Sequence, residues 1–143
     1  MAETRLWGGR FRSGPDPALM TLSRSDAAYY RLVPYDIVSS IAHARELERA
    51  GLLTAAECAT IAAELDRIRA DHAAGRIGPS AADEDLHTFI ERVLVERLGP
   101  LGGKLRAGRS RNDQAANDLR LYLRWEARAL TLALLALQEA LAE

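Results

Sequence analysis

Six consecutive polar side chains follow Gly108 and form the densest group of hydrogen-bonding residues in the sequence: Arg109, Ser110, Arg111, Asn112, Asp113 and Gln114. They stand at the predicted start of a long helix, where backbone N–H groups lack partners and the helix dipole is positive. Arginine adds paired donors for carboxylates, and serine, asparagine and glutamine add neutral donors. The segment therefore predicts a binding site for a carboxylate or phosphate. The alternative interpretation is a solvated helix start with Asn112 or Asp113 as the N-cap.

Three glycines near this segment favour the binding interpretation. Gly102 and Gly103 precede it by a few residues, and Gly108 lies directly before it. Because glycine has no side chain, a glycine-rich backbone can approach a ligand closely. We therefore expect this connector to bring backbone groups near the bound anion.

A second candidate segment runs from Asp83 to His87, at the predicted start of another helix. Acidic residues are favoured there by the helix dipole. A histidine one turn later can hold an anion or relay a proton. The local pattern alone instead favours an acidic helix start with one partly buried histidine. We expect no metal site, because the other histidines, His43 and His72, show no ligand spacing.

Helical periodicity explains most of the chain. Apolar residues recur every three or four positions between Asp36 and Ala50. Thr54 and Glu57 form a capping-box pattern that opens a second helix. A third helix is predicted from near Asp83 to the Gly99-Pro100 stop, and a fourth from about Asn112 to Glu143. Alternating strand patterns are absent, so the sequence predicts an all-α fold.

We divide the chain into three predicted parts. Residues 1–20 are rich in glycine and proline and are expected to form an extended N-terminal arm. Residues 21–110 are expected to form a helical domain, and residues 111–143 the beginning of a long helix. From Leu130 onward apolar residues occupy every face of that helix, which is typical of a helix inside a bundle.

Composition excludes several classes of protein. The 143 residues carry a net charge of −1, so no broad positive field points to nucleic acid or to an anionic membrane. The single cysteine, Cys58, is expected in the core and favours a reducing compartment. The first nine residues lack a signal-peptide core, and the uncharged run from Ala129 to Gln138 is too short to span a membrane. We expect a cytoplasmic protein that binds neither nucleic acid nor membrane.

Four segments in combination resemble the amino-terminal part of the argininosuccinate lyases. They are Leu6-Trp7-Gly8-Gly9-Arg10-Phe11, Asp83 to His87, Gly103-Lys104-Leu105 and Gly108 to Gln114. The resemblance extends from about Arg5 to Glu143. It implies the N-terminal helical domain of the fumarase/aspartase fold, followed by the start of a long helix of the central bundle. It also implies a reaction of arginine biosynthesis, the β-elimination of argininosuccinate to arginine and fumarate, without a cofactor.

The resemblance also implies roles for residues of this chain. Ser25 and Asn112 are expected to contact the substrate, and His87 is expected to be an auxiliary catalytic residue. Further substrate-binding residues are expected in the same two motifs: Asp85, Ser110, Arg111 and Gln114.

Members of the family form homotetramers whose sites combine residues of three subunits, and their main acid–base pair lies in regions beyond this chain. We therefore expect a homo-oligomer that binds a small dicarboxylate or succinyl compound. The isolated chain, which contributes one part of each site, is expected to be inactive.

Four positions depart from the family pattern. Arg106-Ala107 replaces a His-Thr pair, Tyr29 replaces an aspartate, and Ser39 replaces a glycine. A lyase acting on another succinyl compound therefore remains an alternative. A non-catalytic, crystallin-like or inactive chain that only associates with partners is the other.

Overall fold

The computed structural model describes residue 14 and residues 16–142. Within them it contains helices and no β-strand, so the predicted all-α fold is confirmed. Two short 3-10 turns, Ala27–Leu32 and Lys104–Arg106, connect the α-helices. The helices are α1 (Pro17–Ser23), α2 (Val33–Arg49), α3 (Ala55–Ala73), α4 (Leu86–Leu98), α5 (Pro100–Gly103) and α6 (Arg111–Ala142).

The hydrophobic core lies where α2, α3 and α4 pack together. Each of these helices turns its apolar stripe inward, as the periodicity predicts. Cys58 is buried in this core, as expected. The largest fully buried apolar side chains are Ile37, Ile61, Leu65, Ile68, Leu86, Phe89, Leu94 and Val33.

Side-chain caps determine where two of these helices begin. The predicted capping box at the start of α3 is present: Glu57 N–H donates to Thr54 Oγ1, and Thr54 N–H donates to Glu57 Oε2. Helix α4 begins at Leu86 rather than near Asp83. Asp85 has extended backbone and accepts a hydrogen bond from Thr88 N–H at 2.7 Å, which makes it the N-cap.

Helix α6 begins one residue earlier than predicted. The Ser110 hydroxyl accepts a hydrogen bond from the Asn112 backbone N–H at 3.3 Å, and the Ser110 carbonyl accepts from Gln114 N–H at 3.1 Å. Ser110 therefore takes the capping position that we assigned to Asn112 or Asp113. The Asn112 side chain therefore does not cap this helix.

The amino-terminal region is described only in part. The Leu6–Phe11 motif lies outside the described residues. Residues 17–20, which we expected in an extended arm, belong to α1. Pro17 occupies the first turn of that helix, and Asp16 Oδ1 accepts a hydrogen bond from Ala18 N–H at 2.8 Å. The division into residues 21–110 and 111–143 stays a prediction, although α6 begins at Arg111.

Gly102 serves a packing contact that differs from the ligand contact we expected. A Cβ atom added there would lie 2.6 Å from the Leu94 carbonyl oxygen, so only glycine lets α5 approach the backbone of α4 this closely. Gly103 has no atom within 4 Å of the same added group. The requirement for glycine at position 102 is therefore explained by the packing of α5 against α4.

Helix α6 has few interior contacts for its length. Asp118 is its only buried residue among those described. No helix in the described part of the chain is long and apolar enough to cross a membrane. Large apolar side chains of α6 are exposed along its outer part: Leu119, Leu123, Trp125, Leu130, Leu132, Leu134, Leu135, Leu137 and Leu141.

Candidate functional site

Three segments distant in sequence meet around the first turns of α4 and α6. Ser25 N–H donates to the Glu84 carbonyl oxygen at 2.8 Å, which ties the chain before α2 to the start of α4. Arg111 Nη1 lies 2.6 Å from Asp85 Oδ1, which ties the start of α6 to the same place. The structure therefore brings together two groups of predicted site residues that are more than twenty positions apart.

Asp85 is occupied by contacts within the protein. Its Oδ1 atom accepts hydrogen bonds from Thr88 N–H at 2.7 Å, from Thr88 Oγ1 at 2.8 Å and from Arg111 Nη1 at 2.6 Å. Arg111 also lies 3.7 Å from Glu91. The positive charge of Arg111 is thus balanced by two carboxylates. Asp85 and Arg111 therefore hold the starts of α4 and α6 in place, and their charges are engaged with each other instead of being free for a ligand.

A chain of hydrogen bonds runs inward from Tyr29. The Tyr29 hydroxyl lies 3.3 Å from His87 Nε2, and His87 Nδ1 lies 3.2 Å from Asp36 Oδ1. An ionised carboxylate only accepts hydrogen bonds, so the His87 Nδ1 atom carries a proton and donates to Asp36. The Tyr29 hydroxyl and Nε2 share the other hydrogen bond of the imidazole. His87 is buried and does not face solvent.

Gln114 belongs to this buried group. Its Nε2 donates to Asp36 Oδ1 at 3.2 Å and lies 3.4 Å from His87 Nδ1. We expected Gln114 at the ligand. The structure instead turns its amide toward the buried carboxylate, where it supports the position of the imidazole.

Asp36 is fully buried and retains a low pKa because of its partners. Burial alone would raise the pKa of this carboxyl group. The hydrogen bond and charge of His87, the charge of Arg109 and the hydrogen bond from Gln114 together lower the pKa below its ordinary value. Ser40 Oγ also donates to Asp36 Oδ2, at 3.1 Å. Asp36 is therefore the charged acceptor that fixes the imidazole.

Asp118 lies beside Asp36 and behaves differently. Its Oδ1 accepts a hydrogen bond from Ser39 Oγ at 3.0 Å, whereas its buried Oδ2 has no hydrogen-bond partner in the described part of the chain. Burial, followed by the negative charge of Asp36, raises the pKa of Asp118 from 3.8 to about 7. One proton is thus held inside this group at pH values where ordinary carboxyl groups are ionised.

Arg109 turns inward, away from the anion that its motif suggests. Its Nη1 donates to Ser40 Oγ at 2.7 Å and its Nη2 to Ser39 Oγ at 3.2 Å, and the guanidinium lies 3.8 Å from Asp36. Ser39 thus bonds to both Arg109 and Asp118. The hydroxyl that replaces the family glycine at this position is part of the buried network.

Ser25 and Asn112 differ from the other predicted site residues. Within the described residues neither side chain has a hydrogen-bond partner, although the backbone N–H groups of both residues donate hydrogen bonds. Ser25 is half-buried and Asn112 is exposed. These two polar side chains therefore remain available to a ligand beside the starts of α4 and α6.

Sequence reasoning predicted a role for His87 but missed Asp36 and Asp118, which lie beside it in the buried group. Asp36, His87 and Asp118 come from three helices, and one potential ligand atom of each lies within 4.8 Å of the others, a spacing that a metal ion can bridge. In this structure His87 and Gln114 already donate to Asp36. One signal was available, because Asp36, Ser39 and Ser40 are three and four positions apart on one face of α2.

Comparisons with known proteins match nearly the whole chain. A family model described as lyase matches residues 9–143. The chain is 63% identical over 139 residues to argininosuccinate lyase 1 of Pseudomonas fluorescens (strain Pf0-1), an alignment covering 97% of this chain and 29% of the relative. It is 61% identical over 140 residues to argininosuccinate lyase 2 of Rhizobium meliloti (strain 1021), covering 98% and 29%. The chain thus spans about 29% of the length of these curated relatives.

Proposed function

The chain belongs to the lyase family, and from that premise we propose that it forms part of the active site of an argininosuccinate lyase. The reaction is the β-elimination of argininosuccinate to arginine and fumarate, without a cofactor, in arginine biosynthesis. The enzyme acts in the cytoplasm as a homotetramer and binds neither nucleic acid nor membrane. The isolated 143-residue chain is expected to release no fumarate.

One observation carries this proposal. The free side chains of Ser25 and Asn112 lie on segments joined by the Ser25–Glu84 hydrogen bond and the Asp85–Arg111 ion pair. The first turns of two helices, α4 and α6, meet at that junction, and helix starts favour negative charge. A substrate with two carboxylates suits such a place.

The residues of this chain bind and orient the substrate in the proposed reaction. A base removes a proton from the carbon next to a carboxylate, and the developing charge spreads into that carboxylate. The Ser25 and Asn112 side chains stabilise this charge as fixed donors, and the positive end of the α6 dipole adds to their effect. An acid then protonates the leaving nitrogen as the bond between carbon and nitrogen breaks. Residues outside this chain supply the base and the acid.

His87 acts as an auxiliary residue in this scheme. It lies between Tyr29 and Asp36 and is hydrogen-bonded to both side chains. Because it is buried, it influences the substrate through Tyr29 and through the position of Gln114. Asp85 and Arg111 act similarly by fixing the two helix starts, and Ser110 acts by capping α6.

The test uses the full-length protein that contains this chain. Ser25→Ala and Asn112→Ala each remove one polar group and leave the backbone ties in place. Loss of one donor that stabilises developing charge costs on the order of 100-fold in kcat. We expect a reduction of this size in fumarate release, measured by ultraviolet absorbance.

Matched controls are Ser23→Ala and Asn117→Ala, since both original side chains are exposed and of the same types. These controls should retain the wild-type rate. Wild-type kinetics in both Ser25→Ala and Asn112→Ala would remove the two residues from the site. A full-length protein without turnover of argininosuccinate would favour the non-catalytic alternative.

The presence of Tyr29 supports one second candidate function. A tyrosine replaces the aspartate expected from the family pattern, so the site has lost a charge near the substrate. A lyase acting on another succinyl compound, such as a nitrosuccinate or an amino-acid adduct of succinate, would accommodate this change. Comparing kcat/KM for argininosuccinate with kcat/KM for such compounds distinguishes the two functions.

A further inference from the structure

We propose that the ion pair between Asp83 and Arg92 positions the Ser25 side chain, which makes both charged residues positioning residues of this site. The inference rests on the proposed lyase function and deepens it. It assigns the placement of a substrate-binding hydroxyl to two side chains that bind each other. The contacts run from α4 through the loop of residues 78–85 to the segment before α2.

Asp83 and Arg92 form a paired contact at the end of this loop. Arg92 Nε donates to Asp83 Oδ1 and Arg92 Nη2 donates to Asp83 Oδ2, both at 2.9 Å. The Asp83 side chain is fully buried, and the guanidinium carbon of Arg92 lies 5.8 Å from the centroid of the Phe89 ring. Because two parallel hydrogen bonds fix orientation as well as distance, the pair holds Asp83 in one position on α4.

The Asp83 carboxyl group stays ionised in this contact. Burial alone would raise its pKa. The hydrogen bond from Arg92, the hydrogen bonds from Ser80 and the charge of Arg92 together lower the pKa below its ordinary value. A buried carboxylate that loses its partner is strongly destabilising, so both members of the pair are needed to keep the loop folded.

The ion pair holds the backbone of the loop. Ser80 N–H donates to Asp83 Oδ2 at 2.7 Å, and Arg92 Nη2 donates to the Gly78 carbonyl oxygen at 3.4 Å. Residues 78–85 form neither helix nor strand, so these side-chain contacts take the place of a regular pattern of backbone hydrogen bonds. The shape of the loop therefore depends on the pairing of Asp83 with Arg92.

The loop in turn holds the segment that carries Ser25. The Glu84 carbonyl oxygen accepts a hydrogen bond from Ser25 N–H at 2.8 Å, and the Ala81 carbonyl oxygen accepts one from Arg24 Nη2. Both acceptors are backbone groups within two residues of Asp83. The Ser25 hydroxyl has no hydrogen-bond partner within the described residues, so these contacts determine where it lies. A shift of the loop therefore moves the hydroxyl.

The test is Arg92→Lys in the full-length protein. Lysine keeps the positive charge but cannot reproduce the two parallel hydrogen bonds. Because misplacement of a substrate-binding group by about 1 Å costs on the order of 100-fold in rate, kcat for argininosuccinate should fall at least about tenfold. In a Ser25→Ala background the same substitution should lower kcat less than about twofold, since the hydroxyl that it displaces is already absent.

Arg97→Lys is the matched control on the same helix. Arg97 also bonds two carboxylates, Glu64 at 2.9 Å and Asp71 at 2.8 Å, and neither partner belongs to the loop or to the segment before α2. This variant should keep kcat within about twofold of its parent in both backgrounds.

Two results of the kinetic test would overturn the inference. An unchanged kcat in Arg92→Lys is one of them. An equal fall in kcat with and without the Ser25 hydroxyl is the other, because it would show a general structural role. Asp83→Asn alters the pair from the opposite side and should give the same pattern as Arg92→Lys, and it takes the place of that variant if Arg92→Lys does not fold.

The inference and the proposed function fail in different ways. Absence of argininosuccinate cleavage, or wild-type kinetics in Ser25→Ala, overturns the proposed function. Hydrogen exchange of the Ser25 amide in the full-length protein, measured by mass spectrometry, then decides the positioning role. Arg92→Lys should speed this exchange at least about threefold, because the amide is bonded to the loop at Glu84, and Arg97→Lys should not. Exchange that is unchanged in Arg92→Lys, or equally faster in both variants, overturns the inference.

Discussion

Asp118 is buried although one of its carboxyl oxygens lacks a hydrogen-bond partner in the described part of the chain. Burial and then the charge of Asp36 raise the pKa of this group from 3.8 to about 7 in the folded protein. The folded chain therefore keeps a proton that the unfolded chain releases. Between these two values, this group lowers the free energy of unfolding as pH rises.

We predict that Asp118→Asn removes this pH dependence. Asparagine has nearly the same shape as aspartate and carries no titratable proton. The stability of the variant relative to the wild type should therefore rise as pH increases from 3.8 to about 7. Across that range the difference in the free energy of unfolding between the variant and the wild type should change by about 4 kcal/mol in favour of the variant. Urea unfolding at several pH values, followed by circular dichroism, measures the difference.

The difference between the two proteins is the proper readout because His43 acts in the opposite direction. Burial lowers the pKa of His43, so its contribution to stability grows as pH rises toward neutrality. The control is Asp113→Asn on the exposed side of α6, which should run parallel to the wild type. A constant difference between Asp118→Asn and the wild type across the whole pH range would contradict the prediction.

At the scale of helices, the residues next to a helix end explain where most of the helices begin. They do not predict where two helices approach each other closely. The Thr54–Glu57 box was predictable, since both partners lie within one turn. The start of α6 was less predictable, because Ser110, Asn112 and Asp113 are all good caps and only the backbone path selects Ser110. In the sequence, Gly102 suggested the close approach of a ligand. In the structure, glycine is required at this position because the backbone of α4 lies next to it, a contact that exists only in the folded chain.

The contact at Gly102 leads to a matched pair of substitutions. We predict that Gly102→Ala destabilises the protein by about 1–3 kcal/mol, because the new methyl group overlaps backbone atoms that cannot move aside easily. The added Cβ would lie 2.6 Å from the Leu94 carbonyl oxygen. Chemical denaturation of both proteins measures the loss.

Gly103→Ala is the control, since open space surrounds that position and its φ is −67°. Alanine there should be neutral, or stabilising by up to about 1 kcal/mol, because it reduces the freedom of the unfolded chain. Equal stability of Gly102→Ala and Gly103→Ala would show that α5 can shift away from α4 at little cost.

At the scale of the whole molecule, the site depends on contacts between helices that the hydrophobic periodicity of the sequence does not predict. The resemblance identified Ser25 and Asn112, whose contact with a substrate stays a prediction. It did not identify the group of Asp36, His87 and Asp118, because its members approach one another only when α2, α4 and α6 pack. Residues expected at the ligand, such as Gln114, turn inward to satisfy that group, since a buried carboxylate needs donors.

The exposed apolar surface of α6 leads to a prediction about association. Leu130, Leu134 and Leu137 share one face of the helix and are 61%, 53% and 54% exposed. A continuous apolar surface of this kind gains free energy when a second copy covers it, so the 143-residue chain should self-associate. Replacing the three leucines by glutamate should shift sedimentation velocity toward the monomer and leave the helix content unchanged. Leu22→Glu on α1 is the matched control and should associate like the wild type. A wild-type chain that stays monomeric at high concentration would show that this face needs a covering partner other than a second copy of the chain.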